Sequence, residues 1–327
     1  MIIGHDEQAG ALLDAARSGR LHHAWLLAGP QGIGKGTFAR AAARKLLADA
    51  AGPLTSQGNL VVPDEHRIAA LLAAGSHPDY RLLQRLPRAS SDELARSISV
   101  EQVRGLQPLF ATTPSLSGRR VVVIDAIDDL ERSAANALLK NLEEPPAGTI
   151  FLLVSHAPGR LLPTIRSRCR LLRFNRLDAE RTRVVLRRVL DGADEEEVAS
   201  LVAVADGAPG EALRFAGLDI AGLDAAIEKL AVHGDPSNAI RTTLGRALSL
   251  KAAQPRYEAF LERAPSRIAR EVRRSSPSAM GDHIALWRQA RDIADRAVHQ
   301  SLDQQTTVFE IAGLLAKLAP VERAAKG

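Results

Sequence analysis

Short apolar runs, each too short for a helix, are the feature that most restricts the fold of this chain. The clearest are residues 121–125 (VVVID) and residues 150–154 (IFLLV). Runs of about four to eight apolar, often β-branched residues are typical of strands that are buried on both faces of a parallel sheet. Between them, residues 133–144 are rich in strong helix formers and are followed by Pro145 and Pro146. This segment predicts a helix, and the strand–helix–strand order indicates a wound α/β domain.

Three further segments extend this pattern. Strands are expected to begin near Trp25, Tyr80 and Leu171, so that the domain holds a parallel sheet of five strands with helices between them. Ser99, with Gln102 three residues later, forms a capping-box pattern that predicts the start of a helix. Ser155 and His156 follow the strand at 150–154. In open α/β sheets, ligands bind at that carboxyl edge.

Residues 29–37 (GPQGIGKGT) follow the first predicted strand and open a predicted helix. Their spacing is that of a phosphate-binding loop, in which glycines let backbone N–H groups converge on phosphate oxygens and a lysine neutralises charge. The candidate nucleotide-binding residues are Gly29, Gly32, Gly34, Lys35, Gly36, Thr37 and Asp125. The position after Lys35 should carry a hydroxyl for Mg²⁺, but Gly36 stands there and Thr37 is turned about 100° away. Two interpretations stay open: a loop that retains affinity for ATP or ADP, and a tight turn that no longer holds nucleotide.

Three segments closely resemble the clamp-loader branch of the AAA+ ATPases. They are residues 121–125, residues 134–146 (AANALLKNLEEPP) and residues 164–169 (TIRSRC). The resemblance implies an α/β AAA+ P-loop domain with a parallel five-stranded sheet over residues 1–174. It also implies a small helical lid domain over residues 175–222 and an all-helical collar domain, through which subunits form a ring, over residues 223–327.

The resemblance gives Arg168 a role. In the family, this segment presents an arginine across a subunit boundary to the ATP of the neighbouring subunit. A guanidinium suits that task because it stays charged and grips phosphate oxygens with several donors. The alternative is an exposed arginine at the start of a strand with no catalytic role. Cys169 is interpreted as a small structural residue, because no base is identifiable beside it.

Several parts that ATP hydrolysis requires are replaced. The reaction needs Mg²⁺ held by a hydroxyl and an aspartate, a group that orients water, and cations on the developing charge. Asp125 is present, but Ala126 stands where the family carries an acidic residue, and Gly210 stands where its second sensor carries an arginine. With Gly36, these replacements predict a member that does not hydrolyse ATP. Asp128 is interpreted as a helix cap rather than as a substitute carboxylate.

The predicted function is therefore that of a clamp-loader subunit that completes a neighbour's ATP site and helps to load the sliding clamp onto primed DNA. The partners that the resemblance implies are the gamma/tau and delta subunits, with the clamp and the DNA reached through the complex. Two alternatives stay open. One is an ATP-hydrolysing motor subunit of the gamma/tau type, and the other is a nucleotide-binding regulator unrelated to replication.

Composition agrees with this interpretation. A chain of 327 residues, 46% of them hydrophobic, can bury a core in two or three domains. Cys169 is the only cysteine, which excludes the four-cysteine zinc module that many relatives carry in the segment matching residues 51–76. No zinc or other metal site is expected. Charged residues interrupt every apolar run before membrane-spanning length, so a cytoplasmic protein is expected.

Basic residues do not by themselves predict a nucleic-acid site here. The net charge of +5 permits contact with DNA without arguing strongly for it. Arg267, Arg270 and Arg274 recur on one face of a predicted helix. Such a stripe is typical of a solvated face, and that interpretation is preferred to contact with DNA.

Overall fold

The computed structural model describes residues 2–52, 58–88, 91–300 and 302–319. Residues 53–57 of the segment that replaces the zinc module, and residues 320–327 of the predicted collar, lie outside this range. The described chain forms two compact units. The first comprises the residues up to 189 and residues 205–211, and the second comprises residues 190–204 and the residues from 212 onward. The division into three domains stays a prediction.

The first unit is built on a parallel sheet. In chain order the described strands are β1 (Ala24–Ala28), β2 (Tyr80–Gln84), β3 (Pro87–Arg88), β4 (Ser91–Leu94), β5 (Arg120–Asp125), β6 (Thr149–Ser155) and β7 (Arg170–Arg173). Five of them form one sheet in the order β2-β5-β6-β1-β7, with every neighbouring pair parallel. Strands β3 and β4 form a separate antiparallel pair. The predicted five-stranded parallel sheet is confirmed.

Helices cover both faces of this sheet. In the first unit they are α1 (Asp6–Arg17), α2 (Lys35–Ala51), α3 (Arg67–Ala73), α4 (Val100–Arg104), α5 (Gln107–Phe110), α6 (Arg132–Glu143), α7 (Pro163–Ser167) and α8 (Ala179–Val189). The predicted capping box is present at the start of α4, where the Ser99 N–H donates to Gln102 Oε1 at 3.1 Å. Helix α6 ends just before Pro145, because proline cannot continue a helix.

The core explains why the strands are apolar throughout. Successive side chains of a strand point to opposite faces, so a strand covered by helices on both faces needs apolar residues at every position. In β5, Val123 packs in a cluster with Phe38 of α2, and Val122 packs in a second cluster with Leu138 of α6. All four side chains are fully buried. The sheet therefore holds its carboxyl edge, and the loops after β1, β5 and β6, in a fixed position.

The second unit is helical, as predicted. Two helices, α9 (Glu195–Ala205) and α10 (Pro209–Ala212), each cross a boundary between the units. They are followed by α11 (Ile220–His233), α12 (Ala239–Leu248), α13 (Gln254–Val272), α14 (Pro277–Gln300) and α15 (Gln304–Ala316). Helix α15 packs against its neighbours through Val308, Ile311 and Leu315, which are fully buried. Among the described residues, none of the helices is both long and apolar enough to cross a lipid bilayer.

The predicted solvated face formed by Arg267, Arg270 and Arg274 is wrong for Arg267. Its side chain is only 9% exposed, and it donates from Nε to Glu228 at 2.6 Å and from Nη1 to Glu271 at 2.9 Å. The hydrogen bond from Arg267 lowers the pKa of Glu228. A solvated face is the correct description for Arg270 and Arg274, which are exposed, and it is wrong for Arg267. The helical spacing could identify Glu271, four residues along the same helix, but not Glu228, which lies on another helix.

Candidate functional site

The predicted phosphate loop lies between β1 and α2 at the carboxyl edge of the sheet. Gly32 and Gly34 have φ angles of 74° and 97°, in the left-handed region that glycine adopts without steric cost. Gly29 donates its N–H to the Ser155 carbonyl at 3.2 Å, and a Cβ added to Gly29 would lie 2.3 Å from the carbonyl oxygen of Phe174. These glycines are therefore required by the backbone of the loop itself.

Lys35 is turned back onto its own loop. Its side chain is buried, and Nζ donates to the carbonyl oxygens of Gly29, at 2.7 Å, and of Pro30. Burial lowers the pKa of Lys35 to about 8, although the carboxylates of Asp128 and Asp125 act to raise it. The ammonium group that would neutralise phosphate is held by carbonyl oxygens of the loop.

The backbone of Gly36 lies directly against the Asp125 side chain. A Cβ added to this residue would lie 2.1 Å from Oδ2 of Asp125. The Asp125 carboxylate thus fills the space next to α2 in which the loop pattern expects a hydroxyl side chain. Arg40, one turn further along α2, donates from Nη1 to the same oxygen at 3.1 Å. Because an arginine neutralises the aspartate and no hydroxyl faces it, these residues do not fit a bound Mg²⁺ ion.

Thr37 lies one residue further along α2. It is exposed and lines a cavity of about 1060 Å³, together with Arg40, Arg44 and Tyr80. The structure therefore brings Gly36 and Asp125 together, and Thr37 lines a cavity that also includes Arg40, the partner of Asp125.

A turn of the chain lies directly on the phosphate loop. The Gly210 N–H donates to the Gly32 carbonyl at 2.8 Å, and a Cβ added to Gly210 would lie 2.9 Å from the Gly32 Cα atom. A Cβ added to Gly32 would lie 2.6 Å from the backbone nitrogen of Glu211. Any side chain at position 210 would separate the two backbones. Glycine at this position, where the resembled family carries an arginine, is thus the condition for the contact.

Asp128 has a role that the sequence did not reveal. Its carboxylate accepts hydrogen bonds from Ser155 Oγ at 3.0 Å and from the backbone N–H groups of His156, at 2.6 Å, and Ala157, at 3.1 Å. Helix α6 begins later, at Arg132, with no side-chain cap. The helix-cap interpretation of Asp128 is therefore wrong. The residue fixes the carboxyl end of β6, where the polar pair Ser155 and His156 was the only sequence signal.

Arg168 lies at the carboxyl end of α7. Its Nη1 donates to the Thr164 carbonyl at 2.9 Å, and its Nη2 lies 2.8 Å from Glu143 Oε1. The side chain is 34% exposed. Among the described residues, the Arg168 side chain has polar contacts with Thr164, Ser167 and Glu143, and none of these residues belongs to the phosphate loop. Beside it, burial raises the pKa of the Cys169 thiol to about 12, which disfavours the nucleophilic thiolate.

Sequence reasoning missed two charged partners. Arg40 neutralises Asp125, and Glu143 pairs with Arg168. The spacing of Gly36 and Arg40 on one helix was a usable signal, because residues four apart share a face. Glu143 lies within the segment that carries the family resemblance, but its partner is distant in sequence and no spacing identifies it.

Comparisons with known proteins agree with the motifs. A family model described as DNA polymerase III, delta subunit, matches residues 4–178. The DNA polymerase III subunit delta' of Pseudomonas aeruginosa is 40% identical over 195 residues, which are 60% of this chain and 56% of that protein. Subunit delta' of Escherichia coli is 37% identical over 160 residues, 49% of this chain and 44% of that protein. The chain spans about half the length of these curated relatives.

Other similarities are more distant. Subunit tau of DNA polymerase III from Escherichia coli is 30% identical over 269 residues, 80% of this chain and 38% of that protein. Among solved structures, a gamma subunit-related protein from Thermotoga maritima has a TM-score of 0.44 at 15% identity, and the alignment covers 94% of this chain and 98% of that one.

The contact between Gly36 and Asp125 predicts opposite effects for two glycine substitutions. Gly36→Ala should lower the free energy of unfolding by about 1–3 kcal/mol, because the new methyl group enters the space of the carboxylate. Gly10→Ala, inside α1, meets nothing within 4 Å and should raise it by roughly 0.5–1 kcal/mol through helix propensity. Urea denaturation measures both. Equal stability of the two variants would show that Asp125 does not occupy this space in solution.

Proposed function

Because the chain belongs to the DNA polymerase III delta-prime family of clamp-loader subunits, we propose that it contributes to ATP hydrolysis in a neighbouring subunit and does not hydrolyse ATP itself. In this proposal it is a non-hydrolysing member of a cytoplasmic ring with gamma/tau and delta subunits. Arg168 is its catalytic contribution, and the complex loads the sliding clamp onto primed DNA. The observation that carries the proposal is the pairing of Asp125 with Gly36 and Arg40, which leaves the chain's own loop without a Mg²⁺ site.

Two further features support the absence of hydrolysis. Ala126 has no side-chain group that could orient water. Gly210 contributes a backbone contact to the loop where a cation would stabilise the developing charge. Elements of this kind, namely a water-positioning group or an arginine, can each contribute several orders of magnitude to the rate. Their combined replacement argues against a functional ATPase site in this chain.

The surroundings of Arg168 support a role in trans. A guanidinium has five N–H donors in a planar fork. Thr164 and Glu143 accept from Nη1 and Nη2 at less than 3 Å, so the fork keeps further donors for a phosphate oxygen. The side chain is also partly exposed, as an arginine that reaches across a subunit boundary must be.

One observation favours the alternative of an ATP-hydrolysing motor subunit. The similarity to subunit tau extends over 80% of this chain, further than the similarity to the delta' subunits of Pseudomonas aeruginosa and Escherichia coli. The residues at the site oppose this alternative, because Gly36, Ala126 and Gly210 replace three parts of the hydrolytic apparatus.

ATP turnover by the isolated chain separates the two functions. The purified chain should hydrolyse ATP no faster than its Lys35→Ala variant, because Gly36 supplies no hydroxyl for Mg²⁺ and Ala126 supplies no carboxylate to orient water in the transition state. Steady-state phosphate release measures this. Turnover that depends on Mg²⁺ and is abolished by Lys35→Ala would establish a motor subunit instead.

Arg168→Ala tests the service role in the assembled complex. The variant should fold and assemble normally, because a partly exposed ion pair contributes little to stability. It should lower ATP hydrolysis stimulated by DNA and the clamp, by less than the roughly 10³-fold that a finger is worth at a single site, because other sites in the ring keep their own arginines. Arg168→Lys should restore little, since an ammonium cannot reproduce the planar fork.

Arg166 supplies the matched control. It is an exposed arginine of the same helix, and among the described residues the structure gives its side chain no polar partner. Complexes with Arg166→Ala or Arg168→Ala are compared by gel filtration, ATPase rate and clamp loading. Wild-type loading by an intact Arg168→Ala complex would remove the proposed role of this residue.

A further inference from the structure

The pairing of Arg168 extends the proposed function to a second residue. This step rests on the proposed role of Arg168 in trans. We propose that Glu143 is a positioning residue, which holds the Arg168 guanidinium in the orientation that meets a neighbour's phosphate. The carboxylate lies 2.8 Å from Nη2, while the Thr164 carbonyl accepts from Nη1 at 2.9 Å. The two acceptors thus hold the two terminal nitrogens of the fork.

The backbones that carry the pair are fixed by the core. Leu138 and Leu142 on α6, and Ile165 on α7, are at most 1% exposed and belong to one cluster of buried side chains. The Leu142 carbonyl also accepts from Nε2 of His23 at 3.1 Å. Glu143 directly follows Leu142 as the last residue of α6. With both backbones fixed, only the side chains can change conformation. A long arginine side chain is restricted to one rotamer only when a bonding partner holds it.

The contacts with Glu143 and Thr164 do not use all the N–H donors of the Arg168 guanidinium. Two donors go to Glu143 and Thr164, and the contact with Ser167 Oγ is long, at 3.5 Å. At least two N–H groups of the fork stay available, together with most of the positive charge, since an ion pair that water reaches is weak and screened. A phosphate can therefore bind to the fork while Glu143 keeps its contact, and the arginine meets the phosphate already oriented.

The next residue provides an internal comparison. Glu144 carries the same charge one position later, is exposed, and has no polar side-chain partner among the described residues. Replacing Glu144 changes the net charge of this surface by the same amount without touching Arg168. A difference in activity between the Glu143 and Glu144 variants therefore reflects the contact with Arg168 and not the change in surface charge.

The test uses the reconstituted clamp-loader complex with primed DNA and the clamp. Glu143→Ala should lower the kcat of stimulated ATP hydrolysis about two- to fivefold, the range for an exposed ion pair, with the KM for ATP unchanged, because the finger acts in the transition state. Glu143→Gln should lie between, since its amide oxygen still accepts from Nη2 without the charge. Glu144→Ala should match the wild type. Glu143→Ala should add nothing in an Arg168→Ala background.

The outcomes separate this inference from its premise. If Arg168→Ala slows the complex and Glu143→Ala does not, or accelerates it, Glu143 does not position the finger and the proposed function stands alone. An equal loss from Glu143→Ala with and without Arg168 would also overturn the inference, because the residue would then act by another route. If Arg168→Ala itself has no effect, the proposed function fails. Gel filtration and thermal unfolding confirm that each variant assembles and folds.

Discussion

The close approach of the Asp125 carboxylate to the backbone of Gly36 is the contact on which this account depends. It exists because position 36 has no Cβ atom, and it puts an acidic group where a phosphate loop of this pattern expects a hydroxyl and a metal ion. Arg40 then neutralises the carboxylate from the next turn of α2. The sheet fixes the positions of Gly36 and Asp125, because β1 and β5, on either side of β6, end at the same edge. Under the proposed function, the phosphate-loop fold is retained here, while Asp125 and Arg40 occupy the place that a metal ion would need.

The same logic applies on the other side of the loop. Gly210 and Gly32 meet through their backbones at a distance that any side chain would prevent. Glycine at position 210, where the resemblance implies an arginine, therefore does more than remove a cation, since it permits a backbone contact with the loop. Arg168, by contrast, keeps its charge, its exposure and an orienting partner. Under the proposed function, the chain would contribute Arg168 to the ATP site of a neighbouring subunit and would not hydrolyse ATP itself.

Much of the fold could be predicted from local pattern. The five parallel strands follow from short apolar runs, and the start of α4 follows from Ser99 and Gln102, because these signals act within a few residues. The failures all concern contacts between distant segments. Arg267 is paired with a glutamate 39 residues away, and Asp128 with groups 27 to 29 residues away. At the site, the loop, Asp125 and Arg168 could be named from motifs, and the helical spacing of Gly36 and Arg40 was a usable signal, whereas Glu143 emerged only when its neighbours in space were known.

A structure of the assembled clamp loader with a non-hydrolysable ATP analogue and Mg²⁺ tests the division of labour most directly. The Arg168 guanidinium is expected within hydrogen-bonding distance of the γ-phosphate in a neighbouring subunit. Asp125 of this chain is expected to stay against Gly36 and Arg40, with no metal ion bound to it. A Mg²⁺–nucleotide complex coordinated by Asp125 in this chain's own loop, with Arg168 remote from any phosphate, would contradict this division of labour.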